Sequence, residues 1–136
     1  MRDSIGIFER QLRTPSRVDY YPKGHKDALT LKEKKGMLSI ALIGCATYHN
    51  GTLLGGNQLQ QFGVHKPYWE ATGSEHIEGG LFEQTQDSFD LHMFKVPSLR
   101  NITETHPYFH DGSVANLRKA EKIMAEVQLD LSLIHI

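Results

Sequence analysis

With 136 residues the chain has room for one modest core and not for two. Its 39% apolar and 23% charged residues describe an ordinary soluble globular segment, and a formal net charge of −1 excludes a general nucleic-acid binder, which needs a basic excess. No apolar run approaches the roughly 20 residues of a membrane helix, Met1–Gly6 lacks the regions of a secretory signal, and a single cysteine excludes an internal disulfide framework.

In chain order, Ile5, Phe8 and Leu12 stand at helical spacing and read as the end of an incoming helix. Thr14-Pro15-Ser16 breaks it, and residues 17–26 read as loop. Thr30 with Glu33 three residues later is a capping-box pattern. Leu31, Met37, Leu38, Ala41 and Leu42 then predict a helix of about three turns, with Gly44 at its C-cap. From Asn50 to Asp90 glycine is frequent and long periodic runs are few. About 40 such residues are unusual in a compact domain, and become reasonable if they wrap a large planar cofactor. Phe94–Pro97 reads as a short extended segment. Ser113 is expected to start a second helix with Val114, Leu117, Ala120, Ile123, Met124 and Val127 on one side. There is no internal repeat and no low-complexity segment. The final six residues, Leu131–Ile136 (LSLIHI), match one frame of a transposase adapter used for sequencing libraries. They are read as a non-native tail, so the natural sequence is expected to end near Leu129 or Asp130 and the chain to be a fragment.

Residues 44–51, GCATYHNG, differ by one residue from C-x-x-C-H, the attachment signature of c-type haem. Cys45 and His49 stand in their places, and Tyr48 occupies that of the second cysteine. Zinc is a poor alternative, since no C-x-x-C or H-x-x-x-H pair supplies further ligands.

Several longer strings follow the motif in order. They are GGNQLQQFGV at 55–64, PYWEATG at 67–73, FKVPSLRNI at 94–102, PYFHDGS at 107–113 and KIMAEVQL at 122–129. Together, over almost all of residues 5–129, they resemble the C-terminal haem domain of bacterial dihaem cytochrome c peroxidases. The resemblance implies a mainly α fold: a c-type cytochrome domain with long Gly-rich loops wrapping a haem. Residues 1–29 would be an incoming helix and interdomain segment, and 30–130 the cytochrome domain, incomplete at its C-terminus. The implied function is electron input. A small cytochrome c or a copper protein (a cupredoxin) would reduce this haem. An upstream peroxidatic haem domain, absent here, would reduce hydrogen peroxide to water. The parent enzyme is then expected to be periplasmic and homodimeric, and the chain alone inactive, with no catalytic residue of its own.

The resemblance also assigns residues. His49 would be the proximal iron ligand and Met124 the axial one; a thioether raises the reduction potential. The related methylamine-utilisation enzymes place tyrosine at that axial position, so Met124 favours the peroxidase branch. Cys45 would form a thioether to haem c, and Arg100 would pair with a propionate. Pro97 would fix a turn near the haem. His110 would couple the two haem domains, and the backbone carbonyls of Thr105 and Pro107 would contribute to an interdomain calcium site. Plainer alternatives stay open: a small buried thiol for Cys45, a core methionine for Met124, a surface arginine for Arg100, and packing for Trp69, Tyr68 and Phe109 in place of electron relay. For Tyr48 three readings stand: a misread or decayed codon, which the adapter-like tail favours; a haem held by one thioether; or loss of haem. At the level of function the alternatives are a stand-alone monohaem electron carrier and a haem-less fragment.

Overall fold

The computed structural model describes residues 2–11 and 15–131. Leu12, expected at the end of the first helix, Thr14, the first residue of the expected break, and 132–136 of the adapter-like tail lie outside them. The chain divides into two units, residues 1–42 and 43–136.

In the first unit, α1 (Arg2–Gln11) holds Ile5, Ile7 and Phe8 exposed. The segment read as loop contains a short α2 (Arg17–Tyr20). The Asp19 carboxylate accepts from the Ser16 amide at 2.7 Å and fastens the start of that turn. The Thr30–Glu33 capping box forms as the sequence indicates. Glu33 accepts from the Thr30 amide at 2.7 Å and hydroxyl at 2.8 Å, and the Glu33 amide donates to Thr30 Oγ1 at 3.3 Å. Arg17 pairs with the same carboxylate. These hydrogen bonds, led by those from Thr30, hold Glu33 below its usual carboxylate value. They open α3 (Leu31–Ile43), none of whose residues is buried.

The second unit is short helices and loops around one two-stranded sheet. Gly44, at φ 103°, turns the chain into α4 (Cys45–Tyr48). β1 (Leu59–Gln61) pairs antiparallel with β2 (Met93–Lys95), Gln60 opposite Phe94. Between them lie α5 (Tyr68–Thr72), α6 (Phe82–Thr85) and a 3₁₀ turn at Ser88–Asp90. Another 3₁₀ turn spans Ile102–Glu104. The chain ends on α7 (Leu117–Leu129).

The expected start of α7 at Ser113 is corrected to Asn116, whose side chain accepts from the Lys119 amide at 3.0 Å. Ser113 instead donates its amide to Asp111 at 3.0 Å, and Val114 bridges to Tyr108. Local side-chain and bridge bonds outcompete the helix there. The core consists of Val114, Ala120, Ile123 and Val127 packed on Phe62, Ala71, Tyr108 and Phe109, with α5 against α7. Near the end of α7, buried Gln128 acts as a substitute backbone. It accepts from the Gly63 amide at 3.1 Å and donates to the Gln61 carbonyl at 2.9 Å. The helix closes on Asp130 at φ 52°, with the Leu131 amide bonded to the Ala125 carbonyl at 2.9 Å.

Candidate functional site

The one turn of α4 carries Cys45 and presents His49 directly after it, the His49 amide bonding the Cys45 carbonyl at 2.8 Å. The far end of the turn is held by polar side chains. Gln58 donates to the carbonyls of Tyr48 at 2.7 Å and Thr47 at 3.2 Å. Asn50 donates to Thr47 at 3.1 Å and accepts from Asn57 at 2.9 Å. Their usual role is to satisfy carbonyls that a helix end leaves open. Cys45 is a free, half-buried thiol. Burial pushes that thiol up, and the Glu121 carboxylate adds to the effect.

His49 is half-buried, and its Nδ1 faces two carbonyl oxygens, Pro97 at 3.2 Å and Leu54 at 3.3 Å. Both neighbours only accept, so Nδ1 must carry the proton and Nε2 keeps its lone pair. Burial lowers the His49 pKa, with the two carbonyls acting in the opposite direction. Burial thus disfavours the charged form of the ring. A neutral imidazole with its other nitrogen anchored is the state that ligates a metal.

Gly55 makes this contact possible. At φ 129° it sits so close to the 97 peptide that a β-carbon would lie 2.1 Å from the Pro97 oxygen and 3.3 Å from His49 Nδ1. Arg100, three residues past Pro97, donates from Nε at 3.0 Å and Nη2 at 2.6 Å to the Thr52 carbonyl. It thereby ties 97–100 to the loop after the motif. Met124 is half-buried on α7, beside the core-facing Ile123. Three residues before it stands Glu121, the carboxylate that acts on Cys45. Leu129 lies 3.7 Å from where a β-carbon of Gly44 would be. One helix thus carries Met124 and runs past the Cys45 turn.

His110 joins a different cluster. Its ring stacks on Phe94 at 4.0 Å and meets Tyr68 edge-on at 5.2 Å. Its Nε2 lies 3.8 Å from the Glu78 carboxylate. Tyr68, fully buried, stacks on Phe62 at 4.8 Å and contacts the rings of Trp69 and His92. The Tyr68 hydroxyl donates to the Glu78 carbonyl at 3.2 Å and accepts from its amide at 3.0 Å. Trp69 and Phe109 also serve as packing groups here, Phe109 against Phe62 at 5.1 Å. The loop holding His110 is tied by Asp111, which accepts from Ser74. Thr105 and Pro107 are exposed, and the His106–Pro107 peptide is cis. Among the described residues no three His, Cys, Asp or Glu side chains gather in metal-binding range.

Gly55, Gln58, Gln128 and Glu78 were not singled out by sequence. Only Gly55 left a signal, as the first of the paired glycines following the motif.

No family model matches the chain. Over 128 residues, 93% of its length, it is 40% identical to a cytochrome c551 peroxidase of Nitrosomonas europaea and 39% identical to one of Pseudomonas aeruginosa. It spans 37% and 36% of those proteins' lengths, about a third of each. Among solved structures it is similar to a MauG-like protein associated with microbial copper homeostasis. There the TM-score is 0.61 at 30% identity, covering 79% of this chain and 36% of that one. Likeness of this extent, running through the turn that carries Cys45 and His49, places the chain in the bacterial cytochrome c peroxidase family.

Proposed function

We propose that residues 30–130 form the electron-input haem domain of a cytochrome c peroxidase. The observation that carries this is the His49 ring, half-buried and held through Nδ1 by the Pro97 carbonyl, with Nε2 available for iron. A haem bound here would supply a one-electron iron couple. The residues fit the group: one pinned imidazole, a half-buried Met124 thioether on a helix passing the same turn, and a free Cys45 thiol. A small protein core supports the same reading. Among the described residues of the second unit the buried apolar side chains are few: Tyr68, Val96, Val114, Ala120, Ile123, Ala125 and Val127.

In this reading His49 Nε2 and the Met124 sulfur would hold the iron, and the group so held would supply electron transfer. Cys45 anchors the group covalently. Arg100, whose guanidinium steadies the loop at Thr52, would pair with a propionate. His110 couples the domain to a peroxidatic partner domain, and the carbonyls of Thr105 and Pro107 contribute to a calcium site between them. The full-length enzyme, a periplasmic homodimer, takes electrons from a small cytochrome c or cupredoxin and reduces hydrogen peroxide to water. No helix among the described residues is long and apolar enough to cross a membrane.

The test is reconstitution of the full chain with ferrous haem. The parent should give a six-coordinate spectrum that carbon monoxide does not alter. Met124→Ala should open one position and bind carbon monoxide with a Soret shift. Carbon monoxide binding by the parent equal to that of Met124→Ala would remove Met124 from the iron. One observation favours the stand-alone monohaem carrier. His110 packs on Phe94 inside its own unit, so its loop has a structural use without a second domain.

A further inference from the structure

The chain carries Tyr48 where a c-type attachment turn has its second cysteine, and the local geometry says what this does. α4 is a single helical turn closed by the His49 amide on the Cys45 carbonyl. Positions 45 and 48 are i and i+3, so their side chains are neighbours on one face, about 5–6 Å apart at Cβ. Gln58 donates to the carbonyls of Thr47 and Tyr48 and so fixes the backbone of the turn, on which Tyr48 is half-buried. Tyr48 thus shares the single turn with Cys45 and directly precedes His49, whose Nδ1 faces the Pro97 carbonyl. A phenol does not add to a vinyl group under conditions in which a thiol does.

We propose that this chain takes haem through one thioether only, at Cys45, and that Tyr48 covers the second vinyl group unreacted. The proposal rests on the haem reading above. In the bond-forming step the Cys45 S–H adds across one vinyl C=C. Sulfur bonds to the carbon next to the porphyrin ring, and the hydrogen goes to the terminal carbon, which becomes a methyl group. The step is an addition and needs no external oxidant or reductant. The cysteine does not stand alone in this. His49, held by Pro97, would keep a bound haem iron next to the Cys45 turn, which would make the thiol addition intramolecular.

The experiment incubates the haem-free full chain with ferrous protoporphyrin IX haem, and in parallel with mesohaem, whose ethyl groups cannot react. Acid–acetone extraction, intact mass and the pyridine haemochrome α-band are then read. The expected product keeps one haem per chain through extraction. Its α-band should lie between the positions for two saturated vinyls and for none. Tyr48→Cys should move the band to the two-thioether position. Cys45→Ala should leave all haem extractable, and His49→Ala should lower covalent yield about tenfold. Mesohaem should bind and extract completely.

Haem that binds the parent but extracts completely overturns the proposal and leaves the haem site standing. So does covalent haem in Tyr48→Cys alone. Equal covalent yield in urea-unfolded chain also overturns it, as chance reaction of an exposed thiol. Failure of the parent and of Tyr48→Cys to bind either haem or mesohaem overturns both the proposal and the haem reading.

Discussion

Replacing Gly55 with alanine tests the contact on which the His49 geometry depends. Two costs arise. The backbone there, at φ 129°, is glycine territory, and strain of this kind costs about 1–3 kcal/mol. The new methyl would also lie 2.1 Å from the Pro97 oxygen, so that carbonyl must move away from His49 Nδ1. Overpacking costs about 1–3 kcal/mol and the lost hydrogen bond about 1 kcal/mol. Gly56 provides the control: at φ 83° it has a similar backbone demand, but a β-carbon there meets nothing within 4 Å. Gly55→Ala should therefore be less stable than Gly56→Ala by about 2–4 kcal/mol. With a slope of about 2 kcal/mol per molar urea, the midpoints should differ by about 1–2 M. The assay is equilibrium urea unfolding of the haem-reconstituted chain, followed by far-UV circular dichroism. Equal midpoints for the two variants would refute the close approach of residues 55 and 97, and with it the account of how Nδ1 is held.

Three further outcomes are expected. Gln128→Leu leaves the Gly63 amide and Gln61 carbonyl without their partner in a buried setting and should cost about 2–4 kcal/mol in the same assay. Asp111 is held below its ordinary value. Burial acts to raise it, but the hydrogen bonds from Ser74 and Ser113, with the nearby His110, outweigh that effect. Its stabilising contribution is thus complete above the ordinary carboxylate value and is lost as pH falls through the lowered folded value. Asp111→Asn should flatten that acid limb in a series of thermal midpoints. Haem-free chain should unfold over a broad range with little cooperativity, because the described residues of its second unit include few buried apolar side chains; a sharp calorimetric transition would contradict this.

What the sequence determined by itself was set by residues three or four apart. The Thr30–Glu33 capping box, the 13 residues of α3, the glycine turn at Gly44 and the apolar stripe of α7 all depend on near neighbours and were legible. The order of the motif strings along the chain marked the family in the same way. The start of α7 was misplaced because an Asp111–Ser113 bond and a Tyr108–Val114 bridge compete with helix formation, and the bridge depends on loop closure. Only the tertiary structure decided which nitrogen of His49 is anchored, since Pro97 is 48 residues away. It also decided that Gln128 serves as a backbone partner to residues more than 60 positions earlier. It decided as well which ring His110 stacks on, Phe94 standing 16 residues earlier. Helix periodicity and caps are local energies, written in consecutive residues. A buried carbonyl or ring takes whichever partner the folded chain brings within about 3–4 Å, and that choice exists only once distant segments have packed.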